Sequence, residues 1–200
     1  VDSYDEWRDT LDQRLVEWVI DAGFIPVPIP NNLVKTSSES GGHPLLEQWL
    51  NLLNINALLL SGGNDIGMAP QRDVTENFLL KWAEKHNKPV LGICRGMQMM
   101  GLYFGGKLIM VPGHVNTRHK LQYDKVSKLK AVESVNSYHN YALESCPDVF
   151  SVLAKSDDGN IEAIRHRELP WEAWMWHPER ERRFVMSHLE RFKRLINNGK

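Results

Sequence analysis

A chain of 200 residues, 42% of them hydrophobic, can build one domain with a sizeable core and is short for two. Its 24 basic residues against 25 acidic ones leave a net charge of −1, which argues against a nucleic-acid partner, and no apolar stretch approaches the ~20 residues that span a bilayer. Two cysteines, Cys94 and Cys146, make no disulfide framework and suit a reducing, cytoplasmic compartment.

Taken in order, Asp9 to Gly23 is predicted as an amphipathic helix, with Leu11, Leu15, Trp18 and Val19 at helical spacing and Gly23 ending it. Phe24 to Pro30 reads as a short edge strand, residues 31–44 as a loop, and Leu45 to Leu53 as a second helix. Ala57-Leu58-Leu59-Leu60 is a buried strand that runs into the polar turn Ser61-Gly62-Gly63-Asn64-Asp65. In an open α/β sheet, the carboxyl ends of strands are where ligands bind. The turn has neither G-x-G-x-x-G nor a P-loop lysine, so no nucleotide cofactor is implied.

A helix over 73–86 leads to the strand Pro89 to Ile93 and then to Gly92-Ile93-Cys94-Arg95-Gly96. A G-x-C-x-G at a strand-to-helix corner has the geometry of a nucleophile elbow, with cysteine in place of serine. The helix N-terminus behind the sulfur should favour the thiolate.

Gly105 to Met110 reads as a strand, and Pro112 to Lys120 as polar and irregular. His114 and His119 suggest a metal, but no cysteine or carboxylate pattern near them completes a site, and none is expected. Val132 to Asn140 is a strand ending in a polar loop, and Ser151–Ala154 with Ile161–Arg165 forms a hairpin. The strand at Trp174 ends in His177-Pro178-Glu179, where residues two apart share a face and the carboxylate can orient the imidazole. A charged amphipathic helix over Glu181 to Asn197 closes the chain. Alternating strands and helices make the fold α/β with an open, mostly parallel sheet.

Thiol, imidazole and carboxylate are what nucleophilic acyl transfer needs. Cys94 is the expected nucleophile, His177 the base and Glu179 its orienting partner. The N–H groups of Arg95 and Gly63 are the expected oxyanion donors.

At these residues the chain resembles the class I glutamine amidotransferases. Ser61-Gly62-Gly63, Gly92 to Gln98, Asn136-Ser137-Tyr138-His139 and His177-Pro178-Glu179 look like four of their signatures, in family order. Arg72-Asp73-x-Thr75-Glu76 and Pro112-Gly113-His114 resemble the γ-glutamyl hydrolase-like branch, peptidase C26. Glu6-Trp7-Arg8-Asp9, Gly113 to His119 and Glu162 to His166 look closest to the γ-glutamyl-CDP-amidate hydrolases.

The resemblance implies a flavodoxin-like sheet flanked by helices and hydrolysis of a small γ-glutamyl amide through a γ-glutamyl thioester, without a cofactor. It also implies that Gly62, Gln98, Ser137 and Tyr138 hold the glutamyl group, with His139 shaping the pocket. Arg118, with His119 and Lys120, would meet an anionic leaving group such as a diphosphate. A homodimer and a synthase partner are both compatible with the family, and neither is required. Two departures stand out. Relatives begin with an apolar strand that should lie upstream of Val1, and Trp174 stands where they often carry a small residue.

Overall fold

A computed structural model describes residues 6–34, 43–124 and 132–198. The first helix, α1, spans Gln13–Asp21, later than its apolar spacing suggests, because Asp12 caps it by accepting from the Arg14 amide at 2.8 Å. Leu15, Trp18 and Val19 are its buried stripe, as the spacing predicts. Phe24 to Pro30 is not a strand: prolines at 26, 28 and 30 remove alternate N–H donors, and Ile25 is 90% exposed. Residues 35–42 of the following loop lie outside the described residues.

Then come α2 (Pro44–Leu52), β1 (Leu58–Leu60), α3 (Pro70–Lys85), β2 (Val90–Ile93) and α4 (Arg95–Tyr103). Next are β3 (Leu108–Met110), β4 (Val115–Tyr123), β5 (Ser134–Tyr138) and β6 (Tyr141–Leu143). The chain ends with β7 (Phe150–Ser156), β8 (Ile161–His166), β9 (Trp171–Trp174) and α5 (Met186–Asn198). The segment expected to be irregular around residues 112–120 is therefore mostly strand β4. Arg118 and Lys120 face solvent while Thr117, His119, Leu121 and Tyr123 turn inward, so the inward face carries too few apolar residues to reveal the alternation.

Among the described residues the sheet runs β1-β2-β9-β8-β7-β4-β5, with β3 and β6 as a separate antiparallel pair. It is an open α/β sheet flanked by helices, as expected, and it is mixed. Its parallel part is β1, β2 and β9; β8, β7, β4 and β5 follow in antiparallel register. The parallel part matters most, since its three strands end at one edge, with the Gly62-Gly63 turn, Cys94 and His177 just beyond them.

The register assigns the faces. Gly92 pairs with Ala173, and a Cβ on Gly92 would lie 2.8 Å from the Gly96 carbonyl carbon, so small residues let α4 settle on this face. Ile93 pairs with Trp174 on the opposite face, where α1 and α5 pack. Trp174 finds room there by stacking on Trp176 at 5.4 Å and meeting the edge of Trp18 at 6.3 Å, and its indole N–H donates to Glu172 at 2.7 Å. Arg191 of α5 pairs with the same buried carboxylate, Nη2 to Oε2 at 2.8 Å. No helix among the described residues is long and apolar enough to cross a membrane.

His188 lies against both Trp174 and Trp176, at 5.4 and 5.5 Å. Burial lowers its pKa to about 4; Glu181 opposes that shift and Arg191 adds to it. The unfolded chain takes up this proton near pH 6.5 and the folded one only near 4, so stability present above pH 6.5 should be lost as pH falls to 4. The loss should reach about 3 kcal/mol. Urea midpoints of wild type and His188→Gln between pH 7 and 4 should show a shallower decline in the variant.

Candidate active site

Cys94 sits between β2 and α4 with φ 50° and ψ −102°, a left-handed backbone that a side chain adopts at a cost of about 1–3 kcal/mol. The turn is forced from both sides. The Cys94 amide donates to the Trp174 carbonyl at 2.7 Å, extending the β2–β9 ladder by one residue, and α4 begins at the next residue. Cys94→Gly should therefore be about 1 kcal/mol more stable than Cys94→Ala, because only glycine adopts this conformation freely. Paired thermal melts would show it, and equal stabilities would mean that the turn is unstrained.

The sulfur differs from the sequence expectation. Cys94 is 5% exposed, and burial pushes its thiol pKa up to about 12, outweighing the hydrogen bond from the Arg95 amide and the charge of Arg180. The resting group is the thiol, and the α4 N-terminus does not make it a thiolate. A nucleophilic role for this sulfur would require its proton to leave as it attacks.

His177 and Glu179 follow β9, with Pro178 between them in a short 3-10 turn. Nδ1 of His177 lies 2.6 Å from Oε1 of Glu179, and both side chains are buried. That contact makes Nδ1–H the donor and leaves Nε2 as the basic nitrogen. The imidazole rests against Gly62, where a Cβ would fall 2.3 Å from its Cε1. His177 is fixed by its backbone as well: its N–H donates to Asn136 Oδ1 at 2.9 Å, and its carbonyl accepts from Asn136 Nδ2 at 2.8 Å. Arg14 of α1 holds the carbonyls of Glu179 and Glu181, at 3.2 and 2.8 Å.

The Ser61-Gly62-Gly63 turn is held by Arg72, whose Nη2 donates to the carbonyls of Ser61 at 2.7 Å and Gly62 at 3.2 Å. Since a trans peptide points C=O and N–H in opposite directions, the Gly63 N–H faces away from Arg72. A Cβ on Gly63 would meet Arg72 Nη1 at 2.1 Å. The Arg95 side chain, 1% exposed, ion-pairs with Glu76 and Asp73 of α3 and so locks the start of α4.

The remaining expected residues are placed as follows. Gln98 is buried and donates to the Tyr141 carbonyl at 2.9 Å. Ser137 Oγ donates to the His114 carbonyl at 2.7 Å. Tyr138, 38% exposed, meets the His177 ring edge-on at 5.8 Å and lies under the Arg180 guanidinium at 4.8 Å. His139 is buried beside His114, its Nε2 3.3 Å from Nδ1 of that residue. The expected cation cluster does not assemble. His119 turns to the other face of β4, and Arg118 is paired with Glu181 at 3.1 Å and with the Ser134 carbonyl at 3.0 Å. The charge of Arg180, not of Arg118, is the one that lowers the Cys94 thiol pKa against burial.

Sequence reasoning missed the roles of Asn136, Arg72, Arg14 and Arg180. Asn136 and Arg72 stand inside recognisable motifs, whereas nothing local marks Arg14. The expectation that no carboxylate completes a set with His114 and His119 is corrected too. His139 and Glu162 join them, brought in from the β5–β6 corner and from β8.

Among curated proteins, the chain is 32% identical over 133 residues to a gamma-glutamyl-CDP-amidate hydrolase of Campylobacter jejuni, covering 64% of each. It is 27% identical over 190 residues to a glutamine-hydrolysing GMP synthase of Dictyostelium discoideum, covering 90% of this chain and 25% of that protein. The chain thus spans less than two thirds of either relative. A solved structure from Thermoplasma acidophilum, of a protein assigned to GMP synthase, superposes with a TM-score of 0.70 at 23% identity, covering 93% of this chain and 86% of that one. The Peptidase C26 family model matches residues 2–179, nearly the whole chain, and the protein belongs to that family.

Proposed function

We propose that the protein hydrolyses a γ-glutamyl amide through a thioester on Cys94. The observation that carries this is the buried His177–Glu179 pair at 2.6 Å, packed on Gly62 and one strand away from Cys94. Family membership supports hydrolysis of an amide bond. In this reading His177 Nε2 takes the thiol proton as sulfur attacks the γ-carbonyl, and the N–H groups of Arg95 and Gly63 bind the resulting oxyanion. Collapse breaks the C–N bond, and the amine leaves with the proton from His177. A water that gives its proton to the same nitrogen then adds to the thioester, releasing glutamate and the Cys94 thiol. Glu179 stabilises the imidazolium in both halves.

For the substrate we infer γ-glutamyl-CDP-amidate, cleaved to glutamate and cytidine diphosphoramidate, on the strength of the Campylobacter relative. A place in capsule phosphoramidate synthesis, a cytoplasmic setting and action without a synthase belong to the same reading. In this reading the diphosphate meets Arg180, which lies over Tyr138 and whose charge lowers the Cys94 thiol pKa. The second reading, a glutaminase passing ammonia to a synthase, is favoured by similarity to the GMP synthase.

Steady-state kinetics on γ-glutamyl-CDP-amidate, a neutral γ-glutamyl amide and free glutamine separate the two. The nucleotidyl amide should be preferred over glutamine by about 100-fold in kcat/KM, and Arg180→Ala should raise KM about 10-fold for that substrate alone. A preference for glutamine establishes the glutaminase reading, and equal Arg180→Ala effects on charged and neutral amides remove Arg180 from recognition.

A further inference from the structure

His114 and His119 of the β4 region, His139 at the β5–β6 corner and Glu162 of β8 converge, each offering one ligand atom, with all four atoms within 4.8 Å of one another. Three of the separations match a metal tetrahedron. His114 Nδ1 lies 3.3 Å from His139 Nε2, and Glu162 Oε1 lies 3.5 Å from His139 Nε2 and 3.8 Å from His114 Nδ1. Bonds of ~2.0–2.1 Å to a tetrahedral zinc ion place ligand atoms about 3.4 Å apart.

The far sides of two rings are already held. His114 Nε2 contacts the Asp158 carboxylate at 2.7 Å, and His139 Nδ1 contacts the Tyr141 carbonyl at 3.1 Å. Each contact turns the other nitrogen, as a lone pair, towards the cluster, which is how outer partners orient metal-bound histidines. Asp158 is itself held by Ser156 Oγ at 2.5 Å.

A second observation points to a cation. Glu162 is 0% exposed, and neither of its carboxylate oxygens has a hydrogen-bond partner; His119 Nε2 is likewise buried without one. A buried carboxylate is costly unless a positive charge or hydrogen bonds compensate. Two imidazoles with lone pairs aimed at it supply neither.

We propose that His114, His119, His139 and Glu162 bind one divalent transition-metal ion, with zinc the best fit. Three imidazoles and a carboxylate suit zinc over calcium or magnesium, which prefer all-oxygen shells. Four protein ligands leave no open position for water, so the ion is structural. It ties β4, β8 and the corner after Ser137-Tyr138 together and thereby fixes the wall beside His177.

The test measures zinc content by mass spectrometry and affinity by titration against a chromophoric chelator, on purified Cys94→Ser protein so that the thiol cannot contribute. About one zinc per chain is expected, with affinity at least 100-fold weaker in His119→Ala and in Glu162→Gln, and 10- to 100-fold weaker in Asp158→Asn. His119 is only half-buried, so His119→Ala should fold. Its melting temperature should not respond to chelator, whereas that of the parent should fall. Less than a tenth of a zinc per chain with no competition against the chelator overturns the proposal. So does binding that His119→Ala and Glu162→Gln leave unchanged.

Discussion

Cys94→Ser is expected to lower kcat by a factor on the order of 10⁴–10⁶ while leaving the thermal melt nearly unchanged. The substitution swaps sulfur for oxygen in a buried turn, so packing hardly changes. Chemistry changes a great deal, because burial already holds the thiol at about 12 and a hydroxyl is far harder to deprotonate. His177→Ala should cost a similar factor, and the double variant no more than either single one, since in the proposed mechanism the two groups act in one step. Glu179→Gln should cost less, because in that mechanism the carboxylate orients the base and does not move the proton. Near-normal turnover by Cys94→Ser would remove the sulfur from the mechanism.

The largest stability effect is expected at Gly96. A Cβ there would lie 2.2 Å from the Leu60 carbonyl oxygen and 2.8 Å from the Leu60 Cβ. The nearest obstacle is backbone of the neighbouring strand, so no side chain can rotate out of the way. To accept even a methyl group, α4 must lift from β1, which also displaces the Arg95 amide from the sulfur. Gly96→Ala should lower stability by about 3 kcal/mol, read as a fall in the urea midpoint at constant slope. Gly105→Ala, with nothing within 4 Å but a positive φ of 78°, should cost only about 1 kcal/mol.

The candidate site was legible where its chemistry is local. The glycines around Cys94 announce a tight strand-to-helix turn, and the two-residue spacing of His177 and Glu179 survives any rearrangement elsewhere. The sheet was legible at β2, where every residue is buried and the apolar run is continuous. It failed at β4, where the inward positions Thr117 and His119 are polar and too few apolar ones follow, and at Phe24 to Pro30, where apolar residues mimic a strand that prolines forbid. Arg95 marked the elbow as unlike ordinary core, yet its side chain is buried, a state only Glu76 and Asp73 from the preceding helix allow. His114 and His119 suggested a metal, but His139 and Glu162 could not be joined to them from the sequence, because the members come from three elements whose proximity depends on the sheet order. Spacing rules recognise metal sites within one element or hairpin, not across a sheet.

Arg14 reaches across 165 and 167 residues of chain to the carbonyls that shape the His177–Glu179 turn. Contacts of that span form late, because the whole intervening chain must be ordered before they yield anything. On dilution from denaturant, tryptophan burial around Trp174 and Trp176 should therefore recover before turnover does. During synthesis α1 leaves the ribosome long before the turn it steadies. If the proposed hydrolysis holds, the nascent polypeptide is silent until that turn emerges.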